Sequence, residues 1–202
     1  MKKGSIVPWL LGVTLPLYIL DQVTKFWTIG RFSEPLPNPE VPGTYYFGTS
    51  DEPIQVIEGF FRLTRVHNQG VAFGMGNGTD WAPLVFPVVS TIAFVLIALG
   101  LKKKFFVGKL GLLAVSLLVC GIVGNLTDRL IQGRLLERME GASAWEKFKA
   151  GYVVDFIDVT IPIINYPWPV FNVADSCICV AAVILFISGW KEENKKSEAT
   201  VD

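Results

Sequence analysis

Residues 171–190 read FNVADSCICVAAVILFISGW, and after Asp175 come fifteen residues without one charge. Extended back to Val170, the stretch is long enough to cross a bilayer. A helix rising ~1.5 Å per residue needs about 20 residues for a ~30 Å hydrocarbon core. A carboxylate at the head of such a run is costly unless something nearby requires it.

Three other windows share this character. Ser5 to Leu20 is free of charge and continues past Asp21 through QVTKFWTI. WAPLVFPVVSTIAFVLIALGL (81–101) and LGLLAVSLLVCGIVGNLT (110–127) hold no charge in 21 and 18 residues. Lipid offers the backbone no hydrogen-bond partner, so such windows are predicted to be helices. The expected fold is an all-α membrane protein with four transmembrane helices, at about 5–29, 81–101, 110–128 and 170–190, in a single domain spanning 1–202.

The rest of the composition agrees. Of 202 residues, 51% are apolar, and 18 basic side chains balance 18 acidic ones. That length suits one domain, and neutrality without a basic stripe excludes a nucleic-acid partner. The start, MKKGSIVPWLLGVTLPLYILD, resembles a secretory signal, yet no small-x-small cleavage site follows, so it is expected to stay as helix 1. Lys2 and Lys3, KKKFFVGK (102–109) and KEENKK (191–196) place both termini and the short middle loop in the cytoplasm. Segments 30–80 and 129–169 then face outward. Cys120, Cys177 and Cys179 all fall within predicted spans, where they read as small packing residues rather than disulfides. His67 is the only histidine, and no cysteine is near it in sequence, so no metal or other cofactor is expected.

Counting along the helices gives depth. Asp175 lies ~24 Å from Lys191, Asp128 ~28 Å from Lys109 and Asp21 ~27 Å from Lys3. Three helices thus deliver a carboxylate to one level, near the outer surface. Asn125, Asp128 and Arg129 share a face of helix 3, as Asn172 and Asp175 share one of helix 4. Asp155 and Asp158 interrupt an apolar alternation in GYVVDFIDVTIPIINYPWP, an extended stretch that could lower Asp155 towards Asp175. Asp21 with Lys25 reads as an i, i+4 pair, and Asp128 with Arg129 as a buried pair ordering the site. Asp175 has no basic neighbour in its own helix, and is the strongest candidate for chemistry. A proton-coupled transporter or a non-enzymatic scaffold would also use intramembrane carboxylates, although transport sites favour the midplane.

Five stretches in order, DQVTK (21–25), HNQGVAFG (67–74), GNLTDR (124–129), VVDFID (153–158) and FNVADS (171–176), give the chain a close resemblance to lipoprotein signal peptidases, the intramembrane aspartyl protease family also called signal peptidase II. The resemblance implies that Asp155 and Asp175 are catalytic. It makes Asn68, Gly70, Asn125, Asp128, Arg129 and Asn172 substrate-binding or site-supporting, and Asp21 and Lys25 structural supports. It implies a β-rich outer cradle between helices 1 and 2, at about 40–73, and no cofactor. The loops 31–58 and 131–151 are longer than the family pattern. The implied partners are membrane lipid and prolipoproteins whose cysteine carries diacylglycerol, cut just before that cysteine. The implied enzyme is a monomer of the bacterial inner membrane with its site near the outer leaflet. Two adjacent carboxylates cannot comfortably both ionise, so such a pair shares one proton and supplies both a base and an acid.

Overall fold

A computed structural model describes residues 5–35, 48–70, 81–106 and 108–198. Lys2 and Lys3, the middle of loop 31–58, the VAFG half of HNQGVAFG, and the side chains of 191–196 lie outside the described residues. Among the described residues are four long helices, two short helical segments and a small sheet. Helix 1 covers Val7–Arg31, helix 2 Ala82–Lys102, helix 3 Gly108–Leu135 and helix 4 Val173–Glu198. Helix 1 widens to a π turn over Leu10–Thr14, just before Pro16, whose ring nitrogen has no proton to close an α-helical bond.

Helices 1, 2 and 3 are long and apolar enough to cross a membrane, and helix 4 has a shorter apolar run, Val173–Gly189. Half of helix 3's most apolar window is buried inside the protein, against 6% for helices 1 and 2. Helix 3 is therefore the central post. The outer helices expose Leu11, Ile19, Val23, Val88, Leu96, Val183 and Phe186, a surface that lipid solvates and water does not. This is an integral membrane protein.

Small residues set the spacing of the helices. A Cβ at Gly121 would collide with Ile178 and the Ala174 carbonyl, and one at Gly124 would sit 2.7 Å from Asp21 Oδ2 and 3.0 Å from Ala174 Cβ. Close approach through glycine is how spanning helices gain packing where no hydrophobic drive separates them from lipid. Gly121→Leu should therefore lower unfolding free energy by about 1–3 kcal/mol, as overpacking does. Denaturant unfolding in lipid nanodiscs measures this, and an unchanged midpoint would contradict the packing.

Four antiparallel strands run in the order β1 (Ile54–Ile57), β2 (Phe61–Asn68), β3 (Val153–Ile161) and β4 (Tyr166–Pro167). Among the described residues two of them lie between helices 1 and 2, and the other two come from the segment between helices 3 and 4, outside the cradle expected at 40–73. A lone two-stranded hairpin is marginal in water, and β2 gains a second neighbour in β3. Three boundaries also differ from expectation. Helix 3 continues to Leu135, and helix 4 starts at Val173, after Asn172, and continues to Glu198. Segment 131–151 is not a plain loop: it ends helix 3, turns through Glu137–Met139, and forms a short helix, Ala144–Lys149, with a Ser143–Glu146 capping box. That helix folds back onto helix 3, where a Cβ at Gly133 would meet the Lys147 carbonyl.

Candidate active site

Helix 4 begins with a reciprocal cap. Asn172 Oδ1 accepts from the Asp175 N–H at 2.9 Å, and Asp175 Oδ2 accepts from the Asn172 N–H at 3.2 Å. This answers why a carboxylate heads so apolar a run: it satisfies amide groups that lipid could not. The cap leaves Asp175 Oδ1 to accept from Asn125 Nδ2 at 2.8 Å.

Asp155 arrives on β3. It is fully buried among donors, with Asn68 Nδ2 3.1 Å from Oδ2 and Asn172 Nδ2 2.7 Å from Oδ1. Asn172 thus touches both carboxyl groups, that of Asp155 through its side chain and that of Asp175 through its backbone N–H. Burial, and then the nearby Asp175 carboxylate, push the Asp155 pKa up from 3.8 to about 8.

Beneath the two aspartates lies an ionic knot. Lys25 Nζ is 2.9 Å from Asp21 Oδ2, 3.0 Å from Asp128 Oδ2 and 3.1 Å from Asn125 Oδ1. Lys25, Asp21 and Asp128 are all wholly buried. The two carboxylates reach onward: Asp128 Oδ2 accepts from the Val154 N–H at 3.0 Å, and Asp21 Oδ1 from the Ala174 N–H at 2.9 Å. One cation therefore anchors the residue before Asp155 and the residue before Asp175.

Arg129 behaves differently from expectation. Asp128 pairs with Lys25, not with Arg129. Arg129 Nη2 donates to the Gly70 carbonyl at 2.7 Å, Nη1 to the Gln69 carbonyl at 3.3 Å, and the guanidinium lies 3.1 Å above the Phe86 ring. Adjacent residues on a helix are about 100° apart, so Asp128 and Arg129 cannot face the same neighbour. Arg129 instead ties helix 3 to helix 2 and to the end of β2.

Asp158, equally prominent in VVDFID, does not join the site. It faces Arg62 across the β2–β3 ladder, with Nε 2.6 Å from Oδ2. Residues three apart in a strand lie on opposite faces, a signal already present in the spacing. His67 is also excluded as a base. It stacks on Tyr152 at 3.7 Å and accepts from Arg65 Nε at 2.9 Å, and burial and Arg65 push its pKa well below the ordinary value.

Among residues that sequence reasoning left without a role, Gln22 donates to Asp21, Asp128 and the Gly124 carbonyl, at 3.1, 3.3 and 3.3 Å. Its sequence signal was its place inside DQVTK. Phe86 had none, being one aromatic in an apolar helix. Among the described residues no cluster of His, Cys, Asp and Glu could hold a metal.

The arrangement places two carboxyl groups, fed by amide donors, on a strand and a helix cap. Such a pair can take a proton from water and return one to a substrate. A family model described as Signal peptidase (SPase) II matches residues 13–191. The lipoprotein signal peptidase of Janthinobacterium sp. (strain Marseille) is 32% identical over 184 residues, covering 91% of this chain and 88% of that one. That of Syntrophus aciditrophicus (strain SB) is 30% identical, covering 98% of this chain and 100% of its own. A bacterial membrane enzyme structure determined by the in meso method at 2.3 Å resolution is similar in fold, with a TM-score of 0.70 and 24% identity, over 97% of this chain and 96% of that one. The family model spans most of the chain and these relatives are matched over nine-tenths of it or more, so the chain belongs to the signal peptidase II family of aspartic-type proteases.

Proposed function

We propose that Asp155 and Asp175 are the catalytic pair of this peptidase, and that it cuts diacylglyceryl-modified prolipoproteins just before the lipidated cysteine. The observation that carries the proposal is the Asn172 bridge, which holds groups from β3 and helix 4 on a single residue at 2.7 and 3.2 Å. Burial and the neighbouring Asp175 carboxylate push the Asp155 pKa up, which favours a pair that keeps one shared proton at neutral pH. Asp175 sits at a helix N-terminus, where the macrodipole favours negative charge, and acts first as base on the attacking water. Asp155 then protonates the carbonyl oxygen, and the roles reverse as the amine leaves. Asn68, Asn125 and Asn172 hold the carboxyls, Arg129 holds the Gln69–Gly70 backbone beside them, and the Asp21–Lys25–Asp128 knot fixes the elements from which both aspartates project.

In this reading the whole chain is one integral-membrane domain of the bacterial inner membrane, and it acts as a monomer. All four long helices span, with both termini cytoplasmic and the aspartates near the outer leaflet. Two features support that orientation. Lys102, Lys103, Lys104 and Lys109 cluster at the end of the bundle away from the aspartates. The β3–β4 turn beside the start of helix 4 exposes Ile163 by 94%, with Ile164, Tyr166 and Trp168 also open, a composition suited to the interface.

The substrate class has its own test. Purified full-length protein should cleave a lipidated precursor and leave the same precursor uncut when it lacks diacylglycerol. Equal rates on both would remove the lipid requirement while leaving the aspartate pair standing.

A further inference from the structure

At the bundle end remote from Asp155 and Asp175, a groove of about 830 Å³ opens between helices 2 and 3. Its walls are apolar, from Ala93, Leu96 and Ile97 on one side to Leu118 and Ile122 on the other, and Lys103 and Lys104 stand at its mouth. Ala93 to Lys103 is ten residues of helix, or ~15 Å, about half of a ~30 Å hydrocarbon core. The groove therefore has the depth of one leaflet.

Its mouth is built, not loose. The turn after helix 2 doubles back, with the Phe105 N–H donating to the Gly100 carbonyl at 2.8 Å. The Phe106 ring occupies the space a Cβ at Gly100 would need, and its backbone lies 2.9 Å from where one at Gly111 would be. Lys104 takes a left-handed φ of 59° and Gly108 one of 70°, which fixes the path of the basic turn. Neither Lys103 nor Lys104 makes an ion pair among the described residues. From Trp81 to Thr127 the chain holds no acidic residue, so neither helix wall can supply a counter-charge.

We propose that this groove binds one anionic phospholipid, its acyl chains along the apolar walls and its phosphate at Lys103 and Lys104. The charge selects among lipids: apolar walls alone would accept any acyl chain, whereas two ammonium groups with no ion-pair partner among the described residues favour a negative headgroup. Basic pockets between spanning helices recognise anionic headgroups in this way. The site is distinct from the aspartates and does not depend on the catalytic reading.

The full-length protein in neutral detergent tests the proposal by native mass spectrometry, titrated with phosphatidylglycerol or with phosphatidylcholine of the same acyl chains. One phosphatidylglycerol should bind roughly tenfold to thirtyfold more tightly than phosphatidylcholine, the scale expected for two basic side chains. Lys103→Gln/Lys104→Gln should bring the two lipids level, and Ala93→Trp, which fills the groove, should weaken both. Soluble glycerol phosphate should not displace the lipid. Equal binding of both lipids by the unaltered protein, or a preference that survives the double lysine change, would overturn the proposal. Displacement by glycerol phosphate at matching concentration would do so too, by making the site one for free phosphate.

Discussion

Asp155→Asn and Asp175→Asn are each expected to lower cleavage of a lipidated precursor by at least about 10³-fold, within the range that general acid–base catalysis supplies. In the proposed mechanism the two groups act as one proton-sharing unit, so the double variant should be no slower than either single one. Folding should survive both changes at the cost of one hydrogen bond each. At 175 an asparagine oxygen can still accept from the Asn172 N–H and keep the helix cap, while its NH2 no longer accepts from Asn125; at 155 the amide oxygen can accept from Asn68 or Asn172 but not from both. Single-turnover cleavage in nanodiscs, alongside an unfolding curve for each variant, separates lost chemistry from lost structure. Substantial turnover by either single variant would sink the paired mechanism.

The same pair predicts a pH dependence with a definite sign. The folded protein holds the Asp155 proton more tightly than the unfolded chain does, because its pKa rises from 3.8 to about 8. The stabilisation from that proton is complete below about pH 3.8 and disappears as the pH climbs through about 8. Cleavage should fall over the upper limb of this window as the pair loses its one proton. Asp155→Asn should flatten the matching slope in stability.

Lys25→Met carries the largest expected structural cost. The methionine fits the volume but removes the cation that lies 2.9 Å from Asp21 and 3.0 Å from Asp128. Two wholly buried carboxylates would then face each other without a counter-charge. Breaking a buried ion network on one side costs about 3–5 kcal/mol, most of it from the stranded partner. Here two partners are stranded, so the upper end is expected. The triple variant Lys25→Met/Asp21→Asn/Asp128→Asn should recover much of the stability, since no buried charge would remain. Cleavage should stay impaired even then, because the Lys25 bond that orients Asn125 towards Asp175 is lost. If Lys25→Met unfolds at the same denaturant concentration as the unaltered protein, the knot has no structural role.

How much could be read in the chain follows from the range of the forces involved. Solvation by lipid is a property of a short window, so the apolar runs at 81–101 and 110–127 announced helices without any knowledge of their neighbours. The rise per residue is equally local, and it was enough to predict that Asp21, Asp128 and Asp175 share a level. Asp21 and Lys25 met as a one-turn pair, as i, i+4 spacing requires.

Partners across elements are another matter, because they depend on how each helix is rotated and how closely it approaches the next. Lys25 reaches Asp128 as well as Asp21, Arg129 turns away from Asp128 to Gln69 and Gly70, and Asp158 is taken by Arg62. β2 chose β3, a strand from the segment between helices 3 and 4, to build the floor that carries Asp155. Gly121 and Gly124 allow the approach that lets these meetings occur, yet a glycine in a sequence does not say what will lie against it. Local patterning determined which segments form long apolar helices and which of their carboxylates come to one end of the bundle. Only the packed structure decided that Asn172 would join Asp155 to Asp175, since that bridge exists only when a strand and a helix cap meet.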